Sequence, residues 1–127
     1  MRLWKLSYTS TATASHDWAR CQLDEICALA QVQNALVGIT GVLTLHRGKF
    51  AQVLEGPESA VRALWQRIIL DPRHHSAAIV ADGPILVRRY SKWSMAYREP
   101  RSFLSDQLED ILQQTAEIAR ALNATWH

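Results

Sequence analysis

Long apolar runs are absent from this sequence. The longest uninterrupted stretches reach about five residues, as at Ala77 to Ala81, against the roughly 20 that a membrane-spanning helix requires. Charge of one sign is missing too: fourteen Lys and Arg stand against twelve Asp and Glu, a formal charge of +2, too little to draw nucleic acid by charge alone. Cysteine is scarce. On one predicted helix the only two, Cys21 and Cys27, stand ~9 Å apart along the axis, beyond disulfide reach, so reduced, buried thiols in a reducing compartment are expected. Five Gly and four Pro exclude collagen-like and linker-like composition. The opening Met1-Arg2-Leu3-Trp4-Lys5-Leu6 mixes charge into its apolar stretch and lacks the h-region of a secretory signal, which sets a cytoplasmic location as the expectation. What remains, 127 residues with 48% hydrophobic and 20% charged, is the makeup of one soluble domain able to hold its core by packing alone.

Hydrophobic period then divides the chain. Trp4, Leu6 and Tyr8 alternate with Leu3, Lys5 and Ser7, predicting a strand with one apolar face, and polar Thr9 to His16 reads as a loop. Trp18, Leu23, Ile26, Cys27 and Ala30 recur near the helical period up to about Asn34, with Ser15 or Asp17 as N-cap. Gly38 to Leu45 and Lys49 to Glu55 predict a hairpin around His46-Arg47-Gly48. Gly56-Pro57 opens a second helix carrying Val61, Leu64, Trp65 and Ile68, expected to end near Asp71-Pro72. Ala77 to Val80, cut short by Asp82-Gly83-Pro84, predicts a fourth strand, and Trp93 to Tyr97 a fifth. From Leu104 an apolar stripe (Leu108, Ile111, Leu112, Thr115, Ile118, Ala119, Leu122) predicts a terminal helix, whole or broken in two, with Ser102 or Ser105 as cap. The order β-α-β-β-α-β, plus a short strand and a helical tail, gives an α+β, ferredoxin-like sheet with two helices on one face. Residues 1–97 form the expected domain and 98–127 its helical extension.

Such a scaffold serves many functions, so particular side chains must decide. Tyr8 ends the first strand, Asn34 the first helix, and Gln52 stands between Ala51 and Val53, where an amide turned toward the helices is costly unless bonded. Taken singly each has an ordinary reading: a half-buried sheet aromatic, a helix C-cap, a solvent-facing amide. Arg67 and Asp71, four apart, read as a surface i, i+4 ion pair, or as a polar ligand's handhold at a helix end. His74-His75 lacks the companions of a metal site. Neither a nucleophile-base pair nor a Gly-rich phosphate loop appears beside Arg67 and Asp71; an enzyme is not expected.

Together, Tyr8-Thr9-Ser10, Asn34 with Gly38-Ile39-Thr40-Gly41, Phe50-Ala51-Gln52-Val53-Leu54-Glu55-Gly56, Asp71-Pro72-Arg73-His74 and Trp93-Ser94-Met95 resemble, in order and spacing from Leu3 to Tyr97, the BLUF family of blue-light sensors using FAD. The resemblance implies a noncovalent flavin, FAD with FMN or riboflavin as alternatives, between the two helices. It implies that Tyr8 donates an electron and proton to the excited flavin and that Gln52 switches its hydrogen bonds to the ring. Asn34 would anchor the ring's polar edge, and Arg67, Asp71, Arg73 and His74 would meet ring, ribityl and phosphate groups. Ile26 and Ile68 would be apolar walls, with Trp93 and Met95 passing the signal outward. The expected partners are flavin, a second copy of the chain and a downstream protein. Some 30 residues of helix after Tyr97 are too few for a catalytic output domain, so output by contact is expected. Two readings compete. A flavin-free interaction scaffold keeps the fold, and an RNA-binding module would use the RNP1-like Arg47 to Val53, although Lys49 and Ala51 stand where that pattern wants aromatics.

Overall fold

The computed structural model describes the backbone of residues 2–126, with side chains described to residue 113 and again at Arg120. Five strands form one sheet: β1 (Leu3–Ala12), β2 (Thr40–His46), β3 (Lys49–Pro57), β4 (His74–Pro84) and β5 (Ala96–Tyr97). Their order is β4-β1-β3-β2-β5, antiparallel throughout except for β5 beside β2. Helices α1 (His16–Val37) and α2 (Glu58–Ile68) follow β1 and β3, and α3 (Pro100–Trp126) closes the chain. This is the expected ferredoxin-like architecture with a fifth strand and terminal helix. Among the described residues no helix is long and apolar enough to cross a membrane.

Side chains two apart share a face of a strand, and that rule builds the main core. Trp4, Leu6 and Tyr8 of β1, Leu43 and Leu45 of β2, and Phe50 and Leu54 of β3 meet Leu23 and Cys27 of α1 and Val61 of α2. The opposite face carries a smaller core, in which Val42, Val53 and Tyr90 are covered by Phe103 of α3. Gly41 lets β2 lie close to β3, since a Cβ there would stand 1.9 Å from the Val53 carbonyl oxygen.

Several boundaries differ from the sequence reading. β1 runs on through Thr9–Ala12, read as loop, because β3 pairs with it as far as Thr11 and β4 as far as Ala12. Two flanking ladders outweigh local polarity. β4 likewise continues through Asp82-Gly83-Pro84, tolerable in an edge strand that pairs with β1 alone. β5 shrinks to two residues. In the hairpin His46 already pairs with Lys49, so Arg47 and Gly48, at φ 50° and 76°, form a two-residue turn whose twist matches the strands.

The helices shift as well. Ser15 caps α1, accepting from the Trp18 N–H, and Gly38 ends it in the left-handed conformation. Asn34 is therefore inside the helix and buried, not a cap. Trp18 is exposed rather than core, and Cys21 is exposed while Cys27 is buried. α2 stops at Ile68, before Asp71, so Arg67 and Asp71 do not form the helical pair; Asp71 binds Arg73 instead. α3 starts at Pro100, ahead of both predicted caps, and is unbroken. It turns Phe103 and Asp106 inward and leaves Leu104, Leu108 and Leu112 exposed, because the sheet face it meets offers charges and hydroxyls beside its small core. The predicted stripe members Thr115, Ile118, Ala119 and Leu122 lie outside the residues whose side chains are described.

Candidate functional site

The register of the two central strands makes the site. Tyr8 of β1 is directly opposite Gln52 of β3, and both side chains point toward α1 and α2. The Tyr8 hydroxyl donates to Gln52 Oε1 at 2.5 Å. At its other end Gln52 Nε2 donates to Met95 Sδ at 3.3 Å. All three side chains are buried. The amide thus spans a proton donor and a thioether that can only accept. Burial pushes the Tyr8 phenol well above its ordinary value; the Asp71 charge adds to the rise and Arg73 opposes it. Neutral at any physiological pH, Tyr8 holds its proton on the Gln52 bond. Its ring leans on Trp65 of α2 at 5.1 Å between centroids.

Above this floor opens a cleft of about 230 Å³ between the helices, below the roughly 300–1,000 Å³ usual for a ligand site. Ile26, Leu29 and Ala30 of α1 form one wall, and Leu64 and Ile68 of α2 the other. Asn34 lines the cleft while giving one amide proton to the Ser94 carbonyl at 3.0 Å, which leaves a donor and an acceptor for other use. Arg67, Asp71, Arg73 and His74 border it. Arg73 grips Asp71 through Nε and Nη2, and that bond holds the Asp71 carboxyl below its usual range against the opposing pull of burial. His74 donates from Nε2 to the Ile68 carbonyl at 2.6 Å and meets the Ser10 hydroxyl through Nδ1, which pins the end of α2 to β1.

Tyr8, Ile26, Asn34, Gln52, Arg67, Ile68, Asp71, Arg73 and His74, named from the sequence, therefore share one cleft. Met95 lies behind Gln52, but Trp93 is turned out, 39% exposed and stacked on Tyr90 at 5.8 Å. Sequence reading missed Phe50 and Leu43, on the floor, and Leu64. Spacing held the signal for two of them, since Phe50 is two residues before Gln52 on its strand and Leu64 four before Ile68 on its helix. It also missed Glu55. That carboxylate is 2% exposed on the other face of β3 and accepts the backbone N–H groups of Arg89 and Tyr90, each at 2.8 Å. Phe50 faces the helices and is buried, so the RNP1-like strand offers no aromatic platform for stacking bases.

Aliphatic walls, a phenol-amide floor and basic groups at the edge fit a flat heterocycle with a polar rim and an anionic tail. Comparison with known proteins agrees. The family model for BLUF, sensors of blue-light using FAD, matches residues 3–96. Photoactivated adenylate cyclase subunit beta of Euglena longa is 35% identical over 117 residues, covering 91% of this chain but 13% of the relative. The blue light- and temperature-regulated antirepressor BluF of Escherichia coli is 30% identical over 92 residues, 72% of this chain and 22% of the relative. The chain thus spans less than a quarter of the length of these curated relatives. Among solved structures, the dark state of the BLUF protein BlrB is similar with a TM-score of 0.72 and 31% identity, covering 98% of this chain and 97% of the other. BlsA in its photo-activated state gives a TM-score of 0.74 at 27% identity, covering 86% and 78%.

Proposed function

The chain belongs to the BLUF family, sensors of blue-light using FAD, and from that premise we propose that it binds FAD noncovalently in the cleft and reports light by exchanging the hydrogen bonds of Gln52. One observation carries the reading: a single buried amide has the Tyr8 hydroxyl at its oxygen and Met95 sulfur at its nitrogen. Bound flavin supplies light absorption and a reversible electron acceptor. The protein does the rest. Tyr8 keeps a proton on Gln52 Oε1 and is the nearest phenol to the cleft. Gln52 has unlike ends, so reversing or tautomerising it stores a second state without displacing the backbone. Ile26 and Ile68 exclude water from the ring, Asn34 holds its polar edge, and Arg67 and Arg73 take the ribityl and phosphate groups, with Asp71 orienting Arg73 and His74, both ring nitrogens engaged by Ser10 and Ile68, bracing the border of the cleft.

Output proceeds by contact. The segment behind Gln52 leads through Met95 and Trp93 to Tyr90, whose hydroxyl donates to Asp106 of α3 at 3.0 Å. The exposed Leu104, Leu108 and Leu112 of that helix support packing against a second copy or a downstream protein. Cyclase activity belongs to the longer relatives.

A dark-minus-light absorbance spectrum of the flavin-loaded protein tests the reading. A small red shift that decays in the dark is expected, and Tyr8→Phe or Gln52→Ala should abolish it with flavin retained. A persistent shift in either variant overturns the roles assigned to the pair.

A further inference from the structure

Ser94 and Met95 lie just before β5, and two side chains of α1 grip them. Gln31 Nε2 donates to the Met95 carbonyl at 2.8 Å, and Asn34 Nδ2 donates to the Ser94 carbonyl at 3.0 Å. Residues three apart share a helix face, so successive carbonyls meet successive donors. The Met95 side chain is 1% exposed, and its sulfur is the group that receives Gln52 Nε2.

We infer that Gln31 is a positioning residue: by fixing the Met95 backbone it sets the sulfur under Gln52, and through that sulfur it sets how fast the light-adapted arrangement relaxes. The inference rests on the photoreceptor reading above. Its chemistry is simple. A thioether accepts but does not donate. With Nε2 toward Met95, an N–H meets sulfur while Oε1 takes the Tyr8 proton. With the amide reversed, Oε1 faces sulfur with no proton between them, and the Tyr8 hydroxyl must send its proton elsewhere. Met95 therefore favours the arrangement seen here, assigned to the dark state, by an amount that depends on where its backbone is held. No hydrogen bond joins Gln31 to Tyr8 or Gln52 among the described residues, so its influence passes through Met95.

Donor chemistry separates this role from mere packing. Gln31→Glu keeps the shape and loses the donor; Gln31→Met loses it with no added charge; Gln31→Lys keeps a donor. In flavin-loaded protein, the first two should retain the red shift but recover in the dark about two- to fivefold more slowly, as befits the loss of one weak N–H···S contact. Gln31→Lys should recover at nearly the unaltered rate. Adding Gln31→Glu to Met95→Leu should change nothing beyond Met95→Leu alone. In flavin-free protein the Met95 methyl resonance should move with Gln31→Glu and stay with Gln31→Lys. Unaltered recovery in both donor-free variants, or additive effects with Met95→Leu, would overturn the inference while the photoreceptor reading stood. Absence of any light-induced shift in the unaltered protein would instead sink that reading, and this one with it.

Discussion

The two faces of the sheet are built from different materials. The face under α1 and α2 is apolar, and the polar groups at its centre meet through single neutral hydrogen bonds, Tyr8 to Gln52, Gln52 to Met95 and Asn34 to the Ser94 carbonyl. The face under α3 has a small apolar core surrounded by ions. There Asp106 accepts from Tyr90 and twice from Arg98, and Arg89 reaches Asp106, Glu109 and Asp110. A neutral amide can exchange partners without moving charge out of water, whereas a buried carboxylate cannot lose its partners cheaply. The first face suits a switch and the second a clamp. The segment from Tyr90 to Met95 touches both.

The contrast is broken most completely on the neutral face. Tyr8→Phe removes the only proton on Gln52 Oε1 that the described residues supply, and Gln52→Ala removes the amide. Both should take the light-induced shift from full to nil while leaving the fold nearly intact. Tyr8→Phe gives up one neutral hydrogen bond, about 1 kcal/mol of stability, while Gln52→Ala gives up two and leaves the buried Tyr8 hydroxyl unpaired, about 2–3 kcal/mol; flavin stacking needs neither group.

The ionic face should respond by degrees. Burial alone would raise the Asp106 carboxyl pKa, but bonds from Arg98, Tyr90 and Arg89 outweigh it and lower the pKa below the ordinary 3.8. A depressed carboxyl contributes stability above its unfolded value and loses it as pH falls through the folded one. Docking of α3 should therefore be constant from neutral pH down to about 4 and weaken only in stronger acid. Asp106→Asn should weaken it at neutral pH by roughly 1–3 kcal/mol, read as faster amide exchange at the start of α3, with the dark absorption spectrum unmoved. If Asp106→Asn shifted the dark spectrum instead, the two faces would not be separate devices.

How much of this the sequence disclosed follows from the range of each interaction. Tyr8 and Gln52 were legible as facing one groove because both sit in strands with a period of two, but their standing directly opposite was not, since β1 meets β3 across the intervening α1 and β2. The cleft followed once both helices were put on one face. Longer-range effects were hidden. Thr9 to Ala12 are strand only because β3 and β4 flank them, and Asp82-Gly83-Pro84 survive in β4 only because it is an edge. Arg67 and Asp71 had helical spacing, but α2 had already ended. The apolar stripe of α3 suggested which side would face the sheet, yet the buried side carries Asp106, whose partners Arg89, Tyr90 and Arg98 come from the loop around β5. Nothing local to any of these residues announced the clamp.

The smallest expected effect on stability falls where the faces are least alike in purpose. The Arg73–Asp71 pair resembles the α3 ions in chemistry, but it lies at the mouth of the neutral cleft with side chains 48% and 28% exposed. Water and salt screen such a pair, so Asp71→Asn should change stability by less than about 1 kcal/mol. Arg73→Ala should do the same. If Arg73 takes the anionic tail of the flavin, flavin retention should nevertheless fall several-fold in Arg73→Ala, and by less in Asp71→Asn, where the guanidinium remains but is no longer aimed. Thermal midpoint and flavin release, measured on the same samples, separate the cases. A midpoint that fell while flavin stayed bound would make the pair a structural brace like Asp106. A retained midpoint with lost flavin would show that the same ion-pair chemistry, moved from beneath a helix to the lip of a cleft, has changed from holding the fold to holding a ligand.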